Sequence, residues 1–249
     1  MRHIDETKAH HDTETGDDSY LASLSDLMVG MLFIFIIMLM AFALSYTNAT
    51  GAANSQREAL ECLLTKNQTQ LSDLLGQISL NFNEQLGNDT RIQVDLSKDV
   101  LRMEDSVLFD QGKSELRPKG KEAVQALAKI LSRVLPNAKS IIEGIYVEGH
   151  TDSDPVINGS NWKLSTDRAI NTFQELISAH QDLNGMRNAR DEKIFGVSGY
   201  AEQRPITSNA TAAGKERNRR IDIRFTLRVP TSEEVQRAMD GAAGGKGGC

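Results

Sequence analysis

Cysteine is nearly missing from this 249-residue chain, with only Cys62 and Cys249 present. Two cysteines cannot build a disulfide framework or a four-ligand zinc or cluster site, so no structural metal is expected. Basic residues are in deficit as well: 28 Lys and Arg against 34 Asp and Glu give a net charge of -6. A protein that neutralises a phosphate backbone needs a cationic excess on one face, so no nucleic-acid partner is expected. Also absent are the GxxxxGK[ST] phosphate loop, the HExxH helix and the GxSxG elbow. Common hydrolytic and nucleotide chemistry lacks its residues, and the chain reads as a non-enzyme without a cofactor. At 39% hydrophobic, 25% charged and 5% aromatic, it is neither a disordered polyelectrolyte nor a collagen-like repeat.

The absence that decides the class is local. No charged side chain occurs between Asp26 and Arg57, and Leu27–Leu44 reads LMVGMLFIFIIMLMAFAL, 18 residues without a charge. At about 1.5 Å of rise per residue such a run covers roughly 27 Å, close to the hydrocarbon core of about 30 Å. A cleaved signal peptide is the competing reading, since Ala41-Phe42-Ala43 has small-x-small character. Signal peptides, however, carry a shorter apolar region behind a basic leader, whereas Asp5, Glu6, Asp12, Glu14, Asp17 and Asp18 outnumber Arg2 and Lys8 here. An uncleaved span over residues 21–46 is expected, after an N-terminal tail of residues 1–20. Arg2 and Lys8 before it balance Arg57 and Lys66 after it, so flanking charge does not set the orientation.

Asp26 lies inside the apolar segment if the helix begins near Tyr20. A carboxylate in a span is expensive, faces protein or a water path, and marks ion or proton handling. Ala22, Ser23, Asp26 and Gly30 form a small, polar stripe, along which another helix can approach closely. The alternative is that Ser25 or Asp26 caps the helix at the headgroup level. Geometry alone leaves both open.

Asn48–Ser55 reads as a short flexible exit. From Gln56 to Leu86 the residues Leu60, Leu63, Leu64, Leu71, Leu74, Leu75 and Ile78 return at helical spacing, interrupted by Asn67. This amphipathic linker helix, within residues 47–90, lacks a core of its own, and self-association as a dimer is expected; docking on the C-terminal domain is the alternative. Residues 91–229 alternate strand and helix signals: strands at Arg91–Leu96, Ser106–Phe109, Ile141–Glu148, Ile194–Ser198 and Arg220–Leu227, a helix over Lys119–Leu135, and another capped by Ser165. The expected architecture is one membrane helix, a linker helix and an α/β domain with a mixed sheet packed with helices, then a tail of residues 230–249 that is Gly-rich and flexible from Gly241 onward.

Within that domain Asp152 follows Gly149-His150-Thr151 at a strand end, and Arg168 is expected in the first turn of the next helix, both exposed. An acid and a guanidinium held apart suit a zwitterion, the acid meeting an ammonium and the guanidinium gripping a carboxylate. A salt bridge between the two is the competing reading.

Val107-Leu-Phe-Asp110, Gly149-His-Thr-Asp152, Asn161-x-x-Leu164-Ser165-x-x-Arg168-Ala169, Gly199-Tyr-Ala-x-x-Arg204-Pro205 and Gly214-x-x-x-Asn218-Arg219-Arg220-Ile221 together resemble the OmpA-like peptidoglycan-binding domain. The resemblance implies that Asp152 and Arg168 hold the two ends of diaminopimelate in the stem peptide, supported by Thr151, Asn161, Asp110 and Arg219. Such a domain behind one span bearing an Asp resembles the B subunits of ion-driven rotary stators, the MotB type. Ser23-Leu-Ser-Asp26-Leu-Met-Val-Gly30 is similar to the ZorB branch, from the Zorya antiphage defence system, more than to the flagellar branch. The resemblance implies Asp26 as the ion carrier, a MotA- or ZorA-like membrane partner in a ratio of five A to two B, peptidoglycan as ligand, and a bacterial inner-membrane protein with its N-terminus cytoplasmic and its domain periplasmic.

Overall fold

The computed structural model describes residues 14–86, 93–156 and 159–243, and the chain divides into two units, Met1–Ala59 and Leu60–Cys249. The tail up to residue 13, Arg91 and Ile92 of the expected first strand, and residues 244–249 lie outside the described residues. Helix α1 (Glu14–Leu86) begins in the first unit and ends in the second. Its membrane-length stretch has a mean hydropathy of 2.9, and Leu27, Met31, Phe35 and Met40 are all exposed. Apolar side chains left uncovered on a helix long enough to span are stable in lipid and not in water.

The expected flexible exit is helical instead. Thr47, Thr50 and Ser55 donate their hydroxyls back to the carbonyls of Leu44, Tyr46 and Gly51. Polar side chains that compete with helix when left unsatisfied are satisfied by the helix itself.

In the second unit, β1 (Gln93–Asp95), β2 (Val100–Glu104), β3 (Ile142–His150), β4 (Phe195–Gly199) and β5 (Arg220–Leu227) form one sheet in the order β1-β2-β5-β3-β4. Among the described residues only β3 and β4 pair in parallel, so the sheet is mixed as expected. Helices α3 (Pro118–Ala138) and α4 (Asn161–Ala179) supply Val124, Leu127, Leu131, Ala169 and Leu176 to the core, against Leu101, Ile145, Val147, Ile223 and Phe225 of the sheet. Pro118 starts α3 where a missing N–H costs nothing. The remaining helices are the short α2 (Asp105–Leu108), α5 (Gln181–Gly185) and α6 (Ala212–Asn218), and α7 (Ser232–Ala243).

Two local expectations change. Ser106–Phe109 is not a strand: Asp105–Leu108 turn as α2, and Phe109 alone makes an isolated bridge with Leu116. The helix expected behind Ser165 begins at Asn161, with the Ser160 hydroxyl accepting the Lys163 N–H. Ser160 is the cap because it alone is extended at the position whose side chain reaches that donor. Strand β2 went unread, because its Arg102 and Glu104 alternate with only a short apolar set.

The linker stripe finds a core after all. Leu71, Leu75, Ile78 and Phe82 are 0% exposed and belong to the domain core, while Leu64 is 38% exposed. The premise that the stripe lacks a covering surface therefore fails for its second half. Phe82→Ala should lower the unfolding free energy by about 3–5 kcal/mol, the usual cost of emptying a phenylalanine site. A denaturant titration that leaves the midpoint unchanged would show that this helix end does not belong to the domain.

Candidate ligand-binding cleft

The cleft is positioned by two glycines. A Cβ at Gly149 would collide with the Ser165 carbonyl, and one at Gly199 with Thr166. Without those side chains, the start of α4 lies directly against the ends of β3 and β4. Ser165 is interior to α4 and accepts the Ala201 N–H at 3.0 Å, while the Ala201 carbonyl accepts the Thr151 N–H at 2.9 Å. Helix, loop and strand end are thereby fixed together around Thr151 and Asp152.

Gln111, Gly112, Thr151, Asp152, Asn161 and Arg168 help to line a cleft of about 570 Å³, with Arg219 on its wall. Of the residues expected to hold peptidoglycan, Asp110 alone keeps its side chain outside it. The Asp110 carboxylate is half exposed beside Lys113 and Arg117, at 3.4 and 3.5 Å, and the residue contributes its carbonyl to Arg168 Nη2 instead, at 3.4 Å. Asn161 donates to the carbonyls of Asp152 and Asp154, which holds the loop after β3 over the helix start.

Neither Arg168 nor Asp152 is exposed, contrary to the sequence expectation: they are 1% and 7% accessible. Arg168 is the eighth residue of α4, about two turns in, and its side chain helps to line the cleft. Its Nε donates to the Lys113 carbonyl at 2.8 Å, and its plane lies 5.0 Å from the Phe109 ring centre. The two residues do not pair with each other. Arg168 Nη1 is 2.9 Å from Asp105 Oδ1, Asp105 Oδ2 is 3.9 Å from Arg219 Nε, and Arg219 Nη1 donates to Asp152 Oδ2 at 2.6 Å. Positive and negative charges alternate in a row of four.

Asp105 is the member that sequence reasoning missed. The signal that could have found it is that a buried guanidinium requires a buried counter-charge. Burial pushes its carboxyl up to about 6, against the pull of Arg168 and Arg219. Burial also lowers the pKa of Arg168, opposed by Asp105. Three buried polar atoms in this cleft have no hydrogen-bond partner in the protein: Thr151 Oγ1, Asn161 Oδ1 and Arg168 Nη1, the last close to Asp105 but misaligned with it. Unsatisfied buried polar groups are costly, and three in one polar cleft mark where a polar ligand gains most.

A second cluster lies on the sheet face away from α3 and α4. Glu148, His150 and Asp222 bring ligand atoms within 4.8 Å of one another. Both carboxylates are already occupied, Asp222 by Arg102 and Arg220, Glu148 by Arg224. Three guanidiniums around two carboxylates oppose a cation, and the chemistry of this donor set is that of a salt-bridge lattice. Burial works to raise the Glu148 carboxyl, but the nearby His150 ring, 3.9 Å away, and the hydrogen bonds from Arg224 hold it down at about 2.

Residues 108–219 match the sequence model of the OmpA family. This stretch is similar to the OmpA family. Its limits enclose Asp110, Thr151, Asp152, Asn161, Arg168 and Arg219 but leave out Asp105. Motility protein B of Bacillus subtilis is 35% identical over 127 residues, which are 50% of this chain and 43% of that protein. Zorya protein ZorB of Escherichia coli is 23% identical over 228 residues, 88% of this chain and 91% of its own. A MotB-like protein from Desulfovibrio vulgaris, whose crystal structure is known, is 23% identical, covers 71% of this chain and 96% of its own, and superposes with a TM-score of 0.48. The chain spans less than half the length of the Bacillus relative. The resemblance drawn from the sequence, a MotB-type stator B chain with an OmpA domain, holds.

Proposed function

We propose that the chain is the peptidoglycan-anchored B subunit of an inner-membrane, proton-driven rotary motor that acts in antiphage defence. The observation that carries the anchoring half is the cleft, where an acid and a guanidinium stand among three unsatisfied buried polar atoms. The ammonium of diaminopimelate meets Asp152, and its carboxylate meets Arg168, with Thr151 and Asn161 completing the shell and Arg219 holding Asp152 in place. Asp110 acts through its backbone carbonyl, by orienting Arg168.

For the motor half, the support is Asp26 at the head of the uncharged run and the similarity to Zorya protein ZorB over most of both chains. Two B chains stand in a ring of five A subunits, with the N-terminus in the cytoplasm and the OmpA domain gripping the wall from the periplasm. Each Asp26 is loaded and unloaded in turn as protons descend the gradient, worth about 2.3 kcal/mol per charge for each 100 mV. The ring turns against the held axle and delivers rotation to cytoplasmic clients. A second reading, a flagellar-type stator, is favoured by the 35% identity to Motility protein B; it differs in the client. A passive wall anchor would keep the domain and span without using Asp26.

Asp152→Ala should abolish co-sedimentation with purified sacculi, because the ligand's ammonium loses its partner inside a partly desolvated site, at about 2–5 kcal/mol. The fold should survive, since the Arg219 side chain left behind is 32% exposed and can turn to water. Undiminished sedimentation of a folded Asp152→Ala chain would remove the wall-binding assignment.

A further inference from the structure

We propose that Asp105 is the positioning residue of this cleft and takes up a proton when a ligand carboxylate docks on Arg168. The inference rests on the reading of the cleft as a carboxylate site. Asp105 opens α2 and is 5% exposed. Its backbone is fixed at both ends: its N–H donates to the Arg219 carbonyl at 3.1 Å, and its carbonyl accepts the Phe109 N–H at 2.8 Å. The backbone that carries the carboxylate is therefore held in place beside Arg168. The charged groups acting on it are Arg168 from α4, Arg219 from between α6 and β5 and Asp152 from the loop after β3.

In the unliganded cleft Asp105 is the counter-ion of Arg168, at 2.9 Å. Nε and one N–H of Nη2 are committed to the carbonyls of Lys113 and Asp110. The second N–H of Nη2 and the unpartnered Nη1 are left for a ligand, and Nη1 is the atom that faces Asp105. A docking carboxylate places a second anion on the one cation that Asp105 depends on, in a site where charge is poorly screened. Protonation of Asp105 relieves the conflict: its charge disappears, and the new O–H becomes a donor. The carboxyl lies near this transition already, since burial holds it up at about 6.

The sign follows from linkage. The liganded cleft binds more protons than the empty one, so affinity rises as pH falls from neutrality towards about 6, by at most about tenfold per pH unit for one proton, and flattens once the empty cleft is protonated too. Wall attachment tightens as the surrounding medium acidifies.

The test uses the full chain in detergent and meso-diaminopimelate as probe, titrated calorimetrically at about pH 6.5 in two buffers of different ionisation enthalpy, which counts protons directly. The expected result is uptake of a sizeable fraction of a proton, with binding several-fold tighter at about pH 6 than at about pH 7.5. Asp105→Asn, a neutral isostere, should bind at the higher pH as tightly as the unmodified protein does at the lower, with no proton uptake. Binding without proton uptake by the unmodified chain overturns the inference and leaves the cleft reading intact. So does an Asn variant that keeps the original pH profile, or one weakened equally at every pH, which would be a structural role only. If the Asn variant does not fold, the proton count on the unmodified chain decides alone. No binding by the unmodified chain at either pH overturns the cleft reading and the inference with it.

Discussion

Asp26→Asn is expected to assemble, reach the membrane and lose ion-driven function completely. Asparagine keeps the size and much of the hydrogen-bonding capacity of aspartate but has no proton to exchange, so a carrier site becomes permanently neutral. Asp26→Glu, one methylene longer, should retain part of the activity at most, because proton handover depends on reach. The substitution separates the readings sharply. A helix cap predicts little change, since Asn caps as well as Asp does, and a passive anchor predicts none. The measurement is phage protection in cells making the full set of partners, alongside membrane levels of the variant. Full protection by a stably inserted Asp26→Asn chain would exclude ion passage through this residue.

Arg168→Ala should cost the domain both its ligand and much of its stability. The side chain is 1% exposed and serves the Lys113 and Asp110 carbonyls, the Asp105 carboxylate and the Phe109 ring at once. Alanine strands a buried carboxylate and unpairs two carbonyls. Breaking a buried pair from one side costs about 3–5 kcal/mol, which for a domain of this size lowers the melting temperature by roughly 6–20 °C. The deficit should narrow as pH falls from neutrality towards about 6 and then level off, because Asp105 freed from the pull of Arg168 takes up its proton at a higher pH than the paired carboxyl does. Arg168→Lys should recover part of the stability and little of the binding: an ammonium supplies charge without the planar fork. Thermal melts across that pH range check all three. A melt unchanged by Arg168→Ala would mean that Arg168 is not the buried strut described here.

How far the sequence reached differs from one element to another, and for physical reasons. Strand β5 occupies the expected Arg220–Leu227 because its alternation places Ile221, Ile223 and Phe225 on the core and Arg220, Asp222 and Arg224 on the other face, a period that needs no outside information. Strand β2 carries a similar but shorter alternation and was not legible. The turn at Asp105–Leu108 was misread because Ser-Val-Leu-Phe has strand propensity, and only the packing of Leu108 and Phe109 into the core makes a helical turn the better solution there.

By itself the sequence determined that an uncharged run from Leu27 to Leu44 precedes an α/β domain, and that Asp152 and Arg168 are candidate ligands. These follow from properties carried along the chain: contiguity of apolar residues, periodicity, and the order of motifs. Tertiary structure alone decided that Leu71, Leu75, Ile78 and Phe82 end in the domain core, that Asp152 pairs with Arg219, and that Asp105, outside every recognised motif, is the counter-ion of Arg168. Burial and charge pairing depend on which residues distant in sequence come within a few ångströms. Asp105 and Arg168 belong to different elements, α2 and α4, and their pairing exists only once α4 rests on Gly149 and Gly199 at the end of the sheet.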